Sequence, residues 1–532
     1  MDTKKLRQKL LDLAIRGKLV PQDPNDEPAS ELLSRIHEEK LAMVERGELK
    51  PKDVKNDTVI YFGSDGLPYE KRTDGKGEST PIERAIRKLP SGWAWARMSM
   101  VARVEAGKTP SKDAFVDEGI PYFKMYNLRN QAIDFAFHPQ FIKPEIHYGQ
   151  LGKSQIHPGD LIMNIVGPPL GKLAIVPDSF PEANTNQAAV VIHSYSPEVP
   201  IAWLFYYLSE MSEINNVSTR GSAGQVNISV NQSREMFVPV PPLAEQRRIV
   251  DALGKYLALV DGIERDRADL DGLLAQLKSK VLDLAVRGEL VKHDPGDEPA
   301  SELLARIREE KLAMVGRGEL KSKDVKNDTV IFTGSDGLRY EKPADGKGEA
   351  KCIEVEIPFE IPEGWSWARL GQLVATCGGK TPSKANKEFW EGGGVPWITS
   401  KDMKAPELFG SQIELTESGA AETNIVPAGS VLMVVRSGIL RRLLPVAINR
   451  VETTINQDLK AMTPYDPRLS DWLLTCFNAW DKRIRDIYHK DGTTVDSIEF
   501  DAMLSMLLPV PPLAEQRHIV EAIKTAFNFT NL

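Results

Sequence analysis

The stretch PVPPLAEQRRIV, Pro239 to Val250, returns as PVPPLAEQRHIV, Pro509 to Val520, with one residue changed. The likeness extends outward from both copies. Leu10 to Glu78 (LLDLAIRGKLV…DGKGE) recurs as Val281 to Glu349, and LPSGWAWARM is then paralleled by IPEGWSWARL. The period, on the order of 270 residues, is far beyond the 20–50 of a solenoid repeat, so the chain reads as a duplicated domain pair. From Met98 to Val238 and from Leu370 to Leu508 only landmarks survive. GKTPSK stands at Gly107–Lys112 and Gly379–Lys384, GIPYF (from Gly119) parallels GVPWI (from Gly394), and HPGDLIM (from His157) parallels PAGSVLM (from Pro427). TNQ at Thr185–Gln187 pairs with INQ at Ile455–Gln457. Two equal frameworks carry two unequal faces.

Totals bound the class. At 532 residues the chain needs two or more cores. No apolar run approaches the roughly 20 residues that cross a bilayer, and the amphipathic start lacks the apolar core and cleavage site of a signal peptide. Cys352, Cys377 and Cys476 are widely spaced and odd in number, which fits a reducing cytosol and no zinc pattern. A net charge of -8 argues against nonspecific coating of nucleic acid but leaves local contacts open.

Leu253, Tyr256, Val260, Ile263, Leu270, Leu274, Leu277, Val281 and Leu284 alternate at spacings of three and four, a heptad seam interrupted only by Arg267. The spacing predicts a helix from Leu243 to Arg287, reaching roughly 65 Å. Its second copy is cut: LAEQRHIVEAIKTAF ends the chain and LRQKLLDLAIRG begins it, with Leu6, Leu10 and Leu13 in the register of Leu277, Val281 and Leu284. The two ends are expected to meet along one composite helix beside the continuous one, in a nearly ring-closed, pseudo-twofold chain. About ten residues of the repeat are missing at that join, and FNFTNL lacks heptad residues. DEPASELL opens a helix running to about Gly47, and to Gly318 in the second copy. TVIYFGSDGLPYE and TVIFTGSDGLRYE read as hairpins. The variable modules mix short apolar strands with one helix each (AWLFYYLSEM, DWLLTCFNAW), so the fold class is α+β.

PLAEQ-type text opening a helix, GKTPS followed by G-x-P-[YW], and a later NQ together resemble the specificity subunit of type I restriction-modification systems. The resemblance spans nearly the whole chain, twice in the same order. It implies two similar α+β target-recognition domains, separated by a pair of long antiparallel coiled-coil helices and each reading half of a split double-stranded DNA sequence. It also implies two docked methyltransferase subunits that carry S-adenosylmethionine, motor-nuclease subunits that join later, no membrane, and a place in a bacterial or archaeal cytoplasm. The expected parts are 1–20 (C-terminal half of the composite helix), 21–92 (conserved helix and hairpin), 93–240 (first recognition domain), 241–291 (central helix), 292–364 (repeat of 21–92), 365–508 (second recognition domain) and 509–532 (N-terminal half of the composite helix).

Candidate contact residues follow from chemistry. Lys108, Thr109, Ser111 and Lys112, with Lys380, Thr381, Ser383 and Lys384, suit phosphates or base edges; the plain alternative is a turn between strands. GKTPSK is no nucleotide phosphate loop, because Ala102 and Val374 stand where a glycine is required and Pro110 and Pro382 obstruct the following helix. Asn186, Gln187, Asn456 and Gln457 can bond adenine or fix a loop; their recurrence in both copies favours loop fixing. The Gly-containing segments supply Arg220, Ser222, Gln225, Lys490, Thr493 and Thr494. VVRSGILRRLLP supplies Arg436, Arg441 and Arg442, where the first module offers only Lys172. His138, His147 and His157 form no metal pattern, and Trp93, Trp95, Trp365 and Trp367 are assigned to packing. No Pro-Pro, at Pro168, Pro241 or Pro511, has the context of an adenine methyltransferase, so recognition without catalysis is expected. A pure protein scaffold would explain the repeated framework but not the divergent faces.

Overall fold

The duplicated twelve residues fold as a joint between module and helix. Phe237–Val240 pairs antiparallel with Ala94–Arg97, and Leu507–Val510 pairs in the same way with Ser366–Arg369. The Pro239 carbonyl accepts the indole N–H of Trp203 at 3.0 Å, and Pro509 accepts that of Trp472 at 2.8 Å. Glu245 Oε2 accepts from Trp93 Nε1, and Glu515 Oε2 from Trp365 Nε1, both at 3.0 Å. Gln246 Nε2 donates to the Pro241 carbonyl at 2.9 Å and Gln516 Nε2 to Pro511 at 2.8 Å. Buried polar groups are costly unless bonded, so this text cannot drift freely in either copy. Burial pushes the Glu245 carboxyl up, against the hydrogen bonds from Trp93 and Gln22.

The computed structural model describes residues 2–196, 199–217, 226–492 and 495–529. The chain divides into two compact units, Met1–Ala268 and Asp269–Leu532. Each unit repeats one order: framework helix (Ala29–Glu45; Ala300–Gly316), hairpin (Thr58–Phe62 with Pro68–Arg72; Thr329–Thr333 with Arg339–Pro343), then the variable module. The first module's main sheet runs Leu173–Ile175, Leu161–Asn164, Ala189–Ser194, Ala102–Ala106, all antiparallel. The second module's runs Glu407–Leu408, Val446–Asn449, Val431–Val434, Leu459–Pro464, Val374–Gly378, the first pair being parallel. These strands are apolar on both faces because a helix covers one side (Ile201–Ser209; Ser470–Ala479) and a second small sheet the other. Each module holds more than the one expected helix, among the additions Ser212–Asn216 in the first and Asp481–Tyr488 in the second.

The long helix runs Leu243–Arg287, from the first unit into the second. Within the first unit, Leu11, Ala14 and Ile15 of helix Thr3–Ile15 share a core with its Ile249 and Leu253. Arg7 pairs with Glu264 at 2.8 Å while Asp26 pairs with Arg248 at 2.6 Å, so these two helices are antiparallel. Within the second unit, Ile519 and Ile523 of helix Leu513–Phe529 share a core with Val281, Ala285 and Val286. Lys278 there lies 5.6 Å from the Phe527 ring and His293 2.6 Å from Glu515, again antiparallel. The heptad seam is covered only in part: Leu253, Val260 and Val281 are buried, whereas Tyr256, Ile263, Leu270 and Leu277 are exposed. Spacing fixes which residues share a stripe, not how far the covering helices extend.

Candidate nucleic-acid interface

The scattered motifs of each module converge on one knot. A methyl group on Gly107 would collide with the backbone carbonyl of Asn186, and one on Gly379 with that of Asn456. Neither glycine needs a left-handed backbone; each is there for close approach. The next amide locks the approach, Lys108 N donating to the Thr185 carbonyl at 2.9 Å and Lys380 N to that of Ile455 at 3.1 Å. The aromatic of GIPYF or GVPWI ties the same loop from behind: Tyr122 Oη donates to the Lys108 carbonyl at 3.0 Å, Trp397 Nε1 to that of Lys380 at 3.2 Å. The Thr109 hydroxyl bonds Gln187 and the Thr381 hydroxyl bonds Gln457. Lys108, Thr109, Ser111 and Lys112 are exposed in one module, and Lys380, Thr381, Ser383 and Lys384 in the other.

Asn186 and Asn456 act on the backbone. Asn186 Oδ1 accepts from Ala188 N at 3.3 Å, and Asn456 Oδ1 from Asp458 N at 3.2 Å. These are the short-range bonds by which Asn shapes a turn. The return segments join the same edge. Val226–Asn227 pairs with Val166–Gly167, and Arg436 bridges Ser497 while its N–H reaches the Asp458 carbonyl at 3.2 Å. Arg220, Ser222, Gln225, Thr493 and Thr494 lie outside the described residues. Lys490 is exposed, 3.7 Å from Glu499. Arg436 and Arg442 are exposed. Arg441 differs, because its guanidinium grips the enclosed carboxylate of Asp496 at 2.6 and 3.2 Å. Lys172 Nζ reaches the Met125 carbonyl at 3.4 Å.

Arg441, the Gly492 N–H and His489 hold the Asp496 carboxyl down at about 2. A depressed carboxyl stabilises fully above its free value of 3.8, and that contribution is lost as pH falls through about 2. Acid should therefore begin to weaken the pairing of His489–Lys490 with Ser497–Ile498 below the free value of 3.8 and remove this contribution by about pH 2. Asp496→Asn should release it at neutral pH, read as faster amide exchange at Ser437 and Ile498. Equal exchange in variant and wild type would contradict this role.

Among the described residues, His157, Asp160 and His193 come close enough to share a cation, as do His489, Asp491 and Asp496. In the first group His193 Nδ1 meets Asp160 Oδ1 at 2.8 Å, tying the HPGD turn to the strand Ala189–Ser194. The second module makes the same tie with Ser430 and Thr463 at 2.7 Å, a pair with no metal-binding chemistry. The tie is thus a feature of the frame, and in the other group Arg441 already takes Asp496. His147 is buried against Asn184, whereas His138 is exposed. No helix among the described residues is long and apolar enough to cross a membrane.

A family model described as "Type I restriction modification DNA specificity domain" matches residues 90–269 and 362–532. The chain is 30% identical over 441 residues to the type I restriction enzyme EcoEI specificity subunit of Escherichia coli, covering 73% of this chain and 65% of that protein. It is 37% identical over 167 residues to the EcoR124I/EcoR124II specificity subunit of the same species, covering 31% of this chain and 41% of that one. A solved structure titled "Structural basis underlying complex assembly and conformational transition of the type I R-M system" aligns with a TM-score of 0.51 at 18% identity, covering 84% of this chain and 93% of that one. The likeness to that structure concerns the fold alone. Two matched segments, one on each copy of the internal repeat, place this chain in the type I restriction modification DNA specificity domain family.

Proposed function

We propose that this chain is the sequence-specific DNA-recognition subunit of a type I restriction-modification complex, working in the cytoplasm on a split, asymmetric double-stranded target. One observation carries the reading. Both modules build the same knot of Gly, Lys, Thr and Asn-Gln from the same bonds, yet they expose different side chains around it. Beside the knot the second module shows Arg436, with Arg442 exposed further along the same stretch, where the first has IVGPPLGKLAIV and a single tethered lysine. A shared frame with unlike faces suits two unlike half-sites, with lysines anchoring phosphates and the variable side chains reading base edges.

Chemistry belongs to the partners. Two methyltransferase subunits carrying S-adenosylmethionine would flip the adenine into their own pockets, and motor-nuclease subunits would add cleavage. In the second unit Leu270, Leu273 and Leu277 are 51%, 62% and 48% exposed on one stripe of the long helix, a surface suited to holding a helical partner. A protein-only scaffold would leave the divergent faces unexplained.

Methylome sequencing of a host expressing the chain with its methyltransferase subunit tests this reading. The expected result is methylation confined to one motif of two short blocks with an unspecified gap, absent when the methyltransferase is expressed alone. Methylation at an unbroken motif, or unchanged without this chain, would overturn it.

A further inference from the structure

In each module two neighbouring parallel strands of the small sheet end side by side. Ile120–Phe123 runs parallel to Ala183–Thr185, and Val395–Ile398 to Thr454–Ile455. One strand of each pair leads into Asn-Gln. The other leads into a segment that the repeat does not conserve: KMYNLRNQAIDFAFH from Lys124 in the first module, TSKDMKAPELFGSQ from Thr399 in the second.

These segments are pinned alike. The fully buried Asn127 accepts from Lys124 N at 2.9 Å and donates to the carbonyls of Phe137 and Asp134 at 2.8 and 3.2 Å. Asp402, at the matching place, accepts from Thr399 N at 2.8 Å and from Gln412 N at 3.0 Å. The two ends of each segment are thus clamped by one side chain, while the tips differ in chemistry. In the first module the Arg129 guanidinium lies 4.2 Å over the ring of Phe137, which is 40% exposed and meets His138 at 4.6 Å between centroids. Asn130, Gln131 and His138 all hold positive φ, a conformation that persists only where surroundings enforce it. Gln131 helps to do so, accepting from Leu173 N at 2.7 Å. The second module's tip offers exposed Lys401 and Lys404, and Phe409 at 69% exposure. A segment built only for packing would bury those rings; rigid tips of unlike polarity suit contact with unlike ligand surfaces.

We infer that Lys124–His138 and Thr399–Gln412 are the specificity-determining elements, each reading base edges of one half-site through the tip side chains named above; this rests on the DNA-recognition reading. The test enriches bound duplexes from a random-sequence DNA pool, using the full chain with its methyltransferase subunit. It compares wild type with Arg129→Ala/Phe137→Ala and with Lys401→Ala/Phe409→Ala. The four side chains are exposed, so both variants should keep the wild-type unfolding midpoint. Each variant should lose at least about tenfold in base preference at one half of the motif, a different half for each, with the other half and the gap retained. Preference unchanged in both variants, or both halves weakening together, would overturn the inference while leaving DNA recognition standing. A wild type that enriches no split motif would overturn the DNA-recognition reading and this inference with it.

Discussion

Asp57→Ala should destabilise the first unit by about 3–5 kcal/mol, because it strips an enclosed ammonium of its counter-charge. Lys40 is completely buried and Asp57 5% exposed. Besides Asp57, Lys40 donates to the Ser99 carbonyl at 3.0 Å and lies 4.8 Å from the Tyr195 ring. One charge therefore stitches the framework helix to the hairpin and to the variable module. Burial holds the Lys40 ammonium below its ordinary range, with Asp57 opposing that shift. The unfolded chain then binds this proton more tightly, so the group's contribution to stability rises with pH in the alkaline window below 10.5. Urea unfolding of the single variant, and of Lys40→Met/Asp57→Ala, is the measurement. The double variant should recover much of the loss, since two apolar side chains leave no unpaired charge. A single variant within about 1 kcal/mol of wild type would contradict the assignment. The second unit repeats the device with Lys311 2.6 Å from Asp328 and 5.0 Å from the Tyr465 ring, and Asp328→Ala should behave alike.

Gly379→Ala should cost DNA binding rather than folding of the whole chain. The added methyl meets backbone, the carbonyls of Asn456 and Ile455, which cannot rotate away as a side chain can. Overpacking of this kind costs about 1–3 kcal/mol, here concentrated on the contact between the Lys380 loop and the Asn456 turn. Affinity for the selected duplex should fall about tenfold or more. The loss should be specific to one half-site, with methyltransferase binding retained. Gly107→Ala should do the same for the other half. Titration of each variant against the wild-type target and against duplexes altered in either half measures this; wild-type affinity in Gly379→Ala would contradict it.

Much of the frame was legible because the chain states it twice. The recurrence of PVPPLAEQR marked a joint, and its Trp, Glu and Gln partners recur with it. The Asn-Gln pairs recur as well, and each asparagine bonds a backbone amide two residues on within its own turn. The assignment of the GW-x-W tryptophans to packing missed a polar half: Trp93 and Trp365 also donate to buried carboxylates. Lys40 and Asp57 lie 17 residues apart in text that repeats, but no periodicity says which lysine turns inward. The Asn127 and Asp402 clamps are not legible in the sequence because the two copies use different residues for one job. Period alone cannot report where a covering helix stops, so which part of the heptad stripe is buried is not legible in the sequence.

On the proposed reading, one frame, used twice, holds two interchangeable modules. Replacing residues 374–506 by the first module's 102–236 keeps the two joining strands of the second unit, Ser366–Arg369 and Leu507–Val510, and exchanges the whole module between them, Trp203 standing in for Trp472. With the methyltransferase subunit present, and with partner binding confirmed, the chimera should select a motif whose second half is a copy of the first, in either orientation. Selection of the original pair of halves would contradict the claim.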